Sequence, residues 1–386
     1  MPRTIYWDYN ATAPIRPKVR ERVIEALDNI SGNPSSVHEA GQKARAYIES
    51  VRRFAAQKLK LQAHELIFCG SATEANFMVL WGTLLRRREK KGLKKILSSS
   101  VEHSSMIKNI RFLCEQEGVE LVEIPFTAEG KVDLVAVEKL LQTQEFWLCS
   151  LFAACNESGI LYPWKELSLL CDKYQVPFHC DMVQLLGREH FSLEDSKLSS
   201  ATFAFHKSGG LKGSALLYMS SRLPWVPVIH GGGQEKKRRS GTENILAIAG
   251  VQGIFEEIDD LVEIYQSNVK KVRDAFELEL KKNFPQVKIV GETLGRLPNT
   301  SFVIFQDIPS DLILMALDVR GVCASSGSAC SSGLSEASSG LMKLGYSAKE
   351  AASAVRFSLG ESARMEDISV VIQALKEMIE QHRRSA

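Results

Sequence analysis

No two cysteines in this sequence have C-x-x-C spacing. The eight stand at 69, 114, 149, 155, 171, 180, 323 and 330, so a local zinc knuckle or iron–sulfur ligand pair is not expected. No apolar segment follows Met1-Pro2-Arg3-Thr4, and no long charge-free apolar stretch occurs elsewhere; neither a secretory leader nor a membrane span is expected. A cytoplasmic protein with free, mostly buried thiols is the expectation. Charge of one sign is also lacking. The net charge is +2, with a pI near 8.0, which gives no global attraction for nucleic acid. The single dense basic run is Lys236-Lys237-Arg238-Arg239. Internal repeats and low-complexity tracts are absent too, which leaves an ordinary soluble composition.

What is present is 386 residues, 45% of them hydrophobic, enough for two domains or for one large domain and a smaller one. Short apolar runs alternate with helical patterns, which predicts an α/β fold with a largely parallel sheet. The runs are Glu65 to Cys69, Lys95 to Leu97, Glu120 to Ile124, Phe146 to Ala153, Val176 to Cys180 and Ala201 to Phe205. Each is nearly continuous in apolar character, as for a strand covered on both faces. Val19, Val23, Ala26, Leu27 and Ile30 recur at helical spacing behind Pro17. Leu134 to Leu141 and Trp164 to Tyr174 read as helices. From Glu243 to about Phe284 the pattern predicts a long helix, broken once, hinging to a smaller C-terminal domain. Asp367 to His382 predicts a final amphipathic helix.

Residues able to do chemistry cluster where apolar runs end. Lys207 follows one such run. In open α/β sheets ligands sit at the carboxyl ends of strands, where a desolvated lysine becomes a nucleophilic amine; an exposed loop lysine is the plain alternative. Asp181 ends another run and could keep a ring nitrogen protonated, with Gln184 bonding the same ring, or it could simply cap a helix. Gly70-Ser71-Ala72-Thr73 opens a predicted helix, whose free N–H groups suit an anion. His103 could stack on a flat ligand or shuttle protons, and Asn156 could bond a ligand oxygen; both could equally be turn residues. Arg356 suits a bidentate grip on a carboxylate, or a structural ion pair. Cys330 lies in a run of small polar residues, Cys323 to Gly333, that suits a travelling thiol or an incidental one.

Order and spacing join these signals. The chain resembles the cysteine desulfurases, within the class V aminotransferase group of pyridoxal-phosphate enzymes. The likeness runs from Asp8-Tyr9-Asn10-Ala11-Thr12-Ala13-Pro14 and Gly32-Asn33-Pro34 through Ser71-Ala72-Thr73-Glu74-Ala75-Asn76, Glu102-His103, Asn156-Glu157, His179-Cys180-Asp181 with Gln184, and His206-Lys207. It continues through Gly231-Gly232-Gly233-Gln234-Glu235 and Arg239-Ser240-Gly241-Thr242-Glu243-Asn244 to Ser325-Ser326-Gly327-Ser328-Ala329-Cys330 and Arg356-Phe357-Ser358-Leu359-Gly360. The serine-rich stretch ending at Cys330 resembles the subgroup with a longer, mobile cysteine loop.

The resemblance implies a large cofactor-binding domain over 13–258, with a mostly parallel, helix-covered sheet. It implies a smaller α/β domain formed by 1–12 and 259–386. It also implies roles. Lys207 would hold pyridoxal 5'-phosphate covalently. Asp181 and Gln184 would bond its ring, and His103 would stack on it and move protons. Ala72, Thr73, Ala204 and His206 would lie along its phosphate, reached also by Thr242 of a second copy, so a homodimer is implied. Asn156, Arg356 and Asn33 would bind the substrate, L-cysteine, and Cys330 would take its sulfur as a persulfide, leaving alanine. A sulfur-acceptor protein is implied, in iron–sulfur assembly, tRNA thiolation or cofactor synthesis; nucleic acid and membrane are not. A selenocysteine lyase, another class V aminotransferase or lyase, and a sulfur-relay scaffold without cofactor are the competing readings.

Three positions depart from the family pattern. Ala204 replaces a usual serine, removing one phosphate hydroxyl that Ser208 or a water could replace. Cys155 replaces an asparagine, and Leu211 a proline. Some relatives carry a C-terminal extension that docks an iron–sulfur scaffold. Here the chain stops at Ser385-Ala386, so docking by that route is not expected.

Overall fold

The computed structural model describes residues 3–87, 95–194, 196–327 and 338–385. The main sheet consists of β1 (Leu66–Cys69), β2 (Lys95–Ser98), β3 (Glu120–Glu123), β4 (Leu148–Ser150), β5 (Phe178–Asp181), β6 (Ser200–Ala204) and β7 (Ala215–Met219). Their order is β1-β7-β6-β5-β4-β2-β3. The run from β6 to β3 is parallel throughout. Strand β7 is antiparallel to both β6 and β1. Two reversals cancel, so β1 points the same way as β6. The carboxyl ends of six strands therefore share one edge, and that edge collects the chemistry.

Side-chain alternation explains why the sheet is buried on both sides. In β1, Leu66 and Phe68 join one apolar cluster and Ile67 and Cys69 the opposite one. The first face is covered by α1 (Pro17–Asn29), α2 (Glu39–Leu59) and α5 (Ile245–Glu256). The second is covered by α3 (Ala72–Arg87) and α4 (Ser104–Glu117). Strand β3 differs from expectation. It is a half-exposed edge strand, and its Glu120 and Glu123 keep that edge wet. In α1, Val19 and Ala26 are buried, but Leu27 is 64% exposed; the apolar stripe of this helix is narrower than its sequence suggests.

A second, antiparallel sheet has the order β10-β11-β9-β8, from β8 (Lys288–Ile289), β9 (Thr300–Ile304), β10 (Ser325–Ser326) and β11 (Ala354–Ser358). It packs with α6 (Lys270–Asn283) and α7 (Met365–Ser385) in a third apolar cluster. Trp7 sits at its centre, edge-on to Phe276 at 4.9 Å between ring centroids. The long helical stretch expected after Glu243 is interrupted twice, at Glu257 and by a π-helical turn at Tyr265–Val269. Among the described residues no helix is long and apolar enough to cross a membrane.

The N-terminal segment ties the two sheets together. Asp8 bridges to Ser358, and Tyr9 N–H donates to Ser358 O at 3.0 Å. Gly360 is required beside it, because a Cβ there would overlap the Tyr9 ring. The chain then crosses to the main sheet, where Ala13 N–H donates to His206 O at 2.8 Å.

Candidate active site

The elements of the site come from strand ends at this edge. Lys207 lies in the short turn that leaves β6. Its Nζ donates to Asn10 O at 2.8 Å and to Ala11 O at 2.6 Å, so it is a held amine rather than a free loop lysine. Asp181 is the last residue of β5 and is 6% exposed. Its Oδ1 accepts from Val183 N–H at 3.0 Å and its Oδ2 from Asn76 Nδ2 at 3.1 Å. Gln184 Nε2 donates to Asn10 O at 3.2 Å, and its Oε1 accepts from Arg188. His103 caps α4, its Nδ1 accepting from Ser105 N–H at 3.2 Å.

Beside these groups lies a cavity of about 300 Å³ lined by Ala11, Gly70, Ala72, Ala204, His206 and Lys212, among others. It opens on the N-terminus of the sixteen-residue α3, where unpaired backbone N–H groups and the positive end of the helix dipole favour an anion. Thr73, in the first turn, is exposed. Burial, then the charges of Lys207, Lys212 and Arg188, push His206 down to about 4. The three cations put positive charge beside the cavity. Of the basic run, Arg239 pairs with Glu74 in the first turn of α3 at 2.6 Å, and Arg238 donates to Leu66 O at 2.7 Å. The run is a local brace.

The structure places three of the expected residues in settings the sequence did not show. Ser208 does not stand in for the hydroxyl missing at Ala204. It is buried, and its Oγ donates to Leu186 O at 2.7 Å; the serines that line the cavity are Ser71 and Ser214. Arg356 is not an open fork. It is 2% exposed, its Nη2 pairs with Asp8 at 2.8 Å, and its Nη1 donates to Asn156 O at 3.1 Å. Arg356 and Asn156 are thus brought together, but any carboxylate must share the guanidinium with Asp8. Asn33 is exposed and turned on itself, its Oδ1 accepting from Ser35 N–H at 2.9 Å, and is not drawn into this group.

Thr242 is exposed, just ahead of the Asn244 cap of α5. Cys330 lies outside the described residues. The described flanks on either side of 328–337 both meet Glu157. A Cβ on Gly327 would lie 3.2 Å from the Glu157 carboxylate, and Ser338 Oγ donates to it.

Several participants receive no individual role from sequence. Asn10 is a hub: its carbonyl serves Lys207 and Gln184, and its Nδ2 donates to Asn156 O and Thr300 Oγ1 at 3.1 and 2.9 Å. Arg188 is fully buried and donates to Tyr9 O at 3.0 Å and Lys207 O at 2.9 Å. Glu102 is buried, with Oε1 accepting from Ser150 at 2.8 Å. Burial and the neighbouring Asp181 charge push it up to about 8. The clue available for Asn10, Asn76 and Glu102 was their place inside the family-like segments; Arg188 lies in none of them.

Comparison with known proteins places the chain in a family. Residues 5–371 match the model of the aminotransferase class-V family. A cysteine desulfurase IscS of Dictyoglomus turgidum is 34% identical, the alignment covering 99% of this chain and 96% of that one. An IscS-like cysteine desulfurase of Mycobacterium tuberculosis is 31% identical over 99% of this chain and 98% of its own length. Among solved structures, a NifS-like protein from Rickettsia africae superposes with a TM-score of 0.85 at 34% identity, covering 98% of this chain and 100% of that one. The chain belongs to the aminotransferase class-V family, in its cysteine desulfurase branch.

Proposed function

We propose that this chain is a pyridoxal-phosphate-dependent cysteine desulfurase that moves the sulfur of L-cysteine onto Cys330 and releases alanine. One observation carries the reading. A held lysine (Lys207), a buried carboxylate (Asp181) and a capping histidine (His103) converge on one sheet edge, next to a positive cavity at a helix N-terminus. The residues fit the group. The cavity suits a phosphate, with Ala72, Thr73, Ala204 and His206 along it. Asp181 would accept from the ring nitrogen, Gln184 would bond the ring, and Lys207 would hold the cofactor covalently.

When bound, pyridoxal phosphate supplies an electron sink for the pair released at the substrate α-carbon. Arg356 and Asn156 orient the substrate carboxylate, with Asp8 limiting how far the guanidinium turns. The Cys330 thiolate attacks the substrate sulfur. An S–S bond forms, the C–S bond breaks, and the carbon left behind takes a proton to become alanine. A sulfur-acceptor protein then draws the outer sulfur from the persulfide.

Residues 13–258 are the cofactor-binding unit, and 1–12 with 259–386 the smaller one; the separate cluster around Trp7 supports that division. A second copy would bring its Thr242 to the phosphate of the first, which agrees with the exposure of Thr242 in the single chain. The described cysteines are all free thiols, which suits a reducing cytoplasm. The test is borohydride reduction of the reconstituted protein. The cofactor is expected on the peptide that contains Lys207, with loss of the visible band. Identical labelling of a Lys207→Ala protein would overturn the assignment.

A further inference from the structure

Behind Asp181 runs a buried chain of hydrogen bonds that ends on His103. Asn76 is fully buried, and Ser105 is 6% exposed. Asn76 Nδ2 donates to Asp181 Oδ2 at 3.1 Å and to Ser105 Oγ at 2.9 Å. Asn76 Oδ1 meets His179 Nε2 at 3.1 Å, and His179 Nδ1 meets Ser200 Oγ at 2.9 Å. Ser105 Oγ lies 2.8 Å from His103 Nδ1, and Ser105 N–H also points at that nitrogen, at 3.2 Å.

The direction of every bond in this chain follows from donor counting. Turning the Asn76 amide over would set its oxygen against the Asp181 carboxylate oxygen, with no proton between them. The amide nitrogen therefore faces Asp181 and Ser105, and both its hydrogens are committed. Asn76 Oδ1 then needs a donor, and His179 Nε2–H supplies it. Burial pushes His179 down to about 3, so the ring has one N–H, and its Nδ1 accepts from Ser200. Ser105 Oγ already accepts from Asn76, so its own proton is free to go to His103 Nδ1. Two donors converge on that nitrogen, and two donors exclude a proton of its own.

We propose that Asn76 and Ser105 are positioning residues that fix the tautomer of His103, holding its proton on Nε2. The inference rests on His103 being the ring that lies against the cofactor, and it deepens that role. The neutral ring offers its surroundings a proton at Nε2 rather than a lone pair. A base acting through Nε2 would first have to displace the Ser105 donors. The same two residues link the orientation of His103 to that of Asp181, so neither group moves independently of the other.

The test is ring-¹⁵N histidine spectroscopy of the protein as isolated, with a His103→Gln sample to assign the signals. In the wild type, Nδ1 of His103 is expected in the lone-pair range and Nε2 in the protonated range. Ser105→Ala and Asn76→Leu should each raise the share of the Nδ1–H form about fivefold, the weight of one ordinary hydrogen bond. Ser105→Thr, which restores a hydroxyl, should return it to the wild-type value. Ser105→Ala keeps the backbone N–H of the helix cap, so it remains readable if Asn76→Leu fails to fold. An Nδ1–H tautomer in the wild type, or unchanged signals in Ser105→Ala, would overturn the proposal. Sulfide release from cysteine is measured on the same samples. A protein without that activity but with the expected tautomer shift would sink the proposed function and leave this inference standing.

Discussion

Two single residues set measurable properties of the site. Glu102, pushed up to about 8 by burial and by Asp181, holds a proton in the folded chain that it has lost above about pH 4.5 when unfolded. The folded state binds the extra proton between those values, so stability falls as pH rises through that window, at a limiting slope of about 1.4 kcal/mol per unit. Glu102→Gln keeps the hydrogen bond to Ser150 and carries no titratable proton. Its urea midpoint should decline less than the wild type's from pH 5 to pH 9, and parallel curves would contradict the assignment. Ala204, 2% exposed, lines the cavity. Ala204→Ser adds a hydroxyl facing an anion site, and charge-assisted bonds of this kind contribute about 1.5–3 kcal/mol. Cofactor dissociation, followed by the visible band, should weaken at least tenfold. Much of this scale was legible, because Lys207, Asp181 and His103 all follow apolar runs. The Asp8 partner of Arg356 was not legible, because it is 348 residues away in the chain, and no local pattern reports such a pair.

At the scale of elements, the segment before Thr242 is the least ordinary. Glu235, Lys236 and Lys237 have φ of 50°, 57° and 65°, three successive non-glycine residues in the left-handed region, each costly. A buried clamp holds them there. Arg52 grips Glu235 through both terminal nitrogens, at 2.7 and 2.8 Å, and Phe68 N–H donates to the same carboxylate at 3.1 Å. Glu235→Gln leaves the Arg52 guanidinium buried without its charge partner. Removing one side of such a pair destabilises by about 3–5 kcal/mol, which urea unfolding would register; a loss below 1 kcal/mol would mean the clamp is not what holds the segment. The basic residues beside it read in sequence only as a dense charged run. The strain was invisible there, since nothing in Glu-Lys-Lys marks a left-handed backbone. The main strands were readable as apolar runs, whereas α2, whose buried stripe is broken by Arg52, and the small antiparallel sheet were not.

For the whole molecule, the site exists because the chain returns on itself. Residues 5–7 pair with 321–323, the chain then joins Ser358 at the end of β11 and Arg356 through Asp8, and it next presents the carbonyls of Asn10 and Ala11 to Lys207. Lys207 and Arg356 thus share one short segment. The flanks of the Cys330 stretch meet Glu157, next to Asn156. The fold class was legible from alternating apolar runs and helical patterns. This stitching was not, because it depends on contacts spanning nearly the full chain. The central claim is that sulfur passes from cysteine, held at the Lys207 site, to Cys330. Non-reducing mass spectrometry of the protein after brief exposure to L-cysteine tests it most directly. The account predicts one added sulfur atom on the peptide containing Cys330, with equimolar alanine, and neither in Lys207→Ala. Sulfur on that peptide in the Lys207→Ala protein, or alanine formed at the wild-type rate by Cys330→Ala, would contradict it.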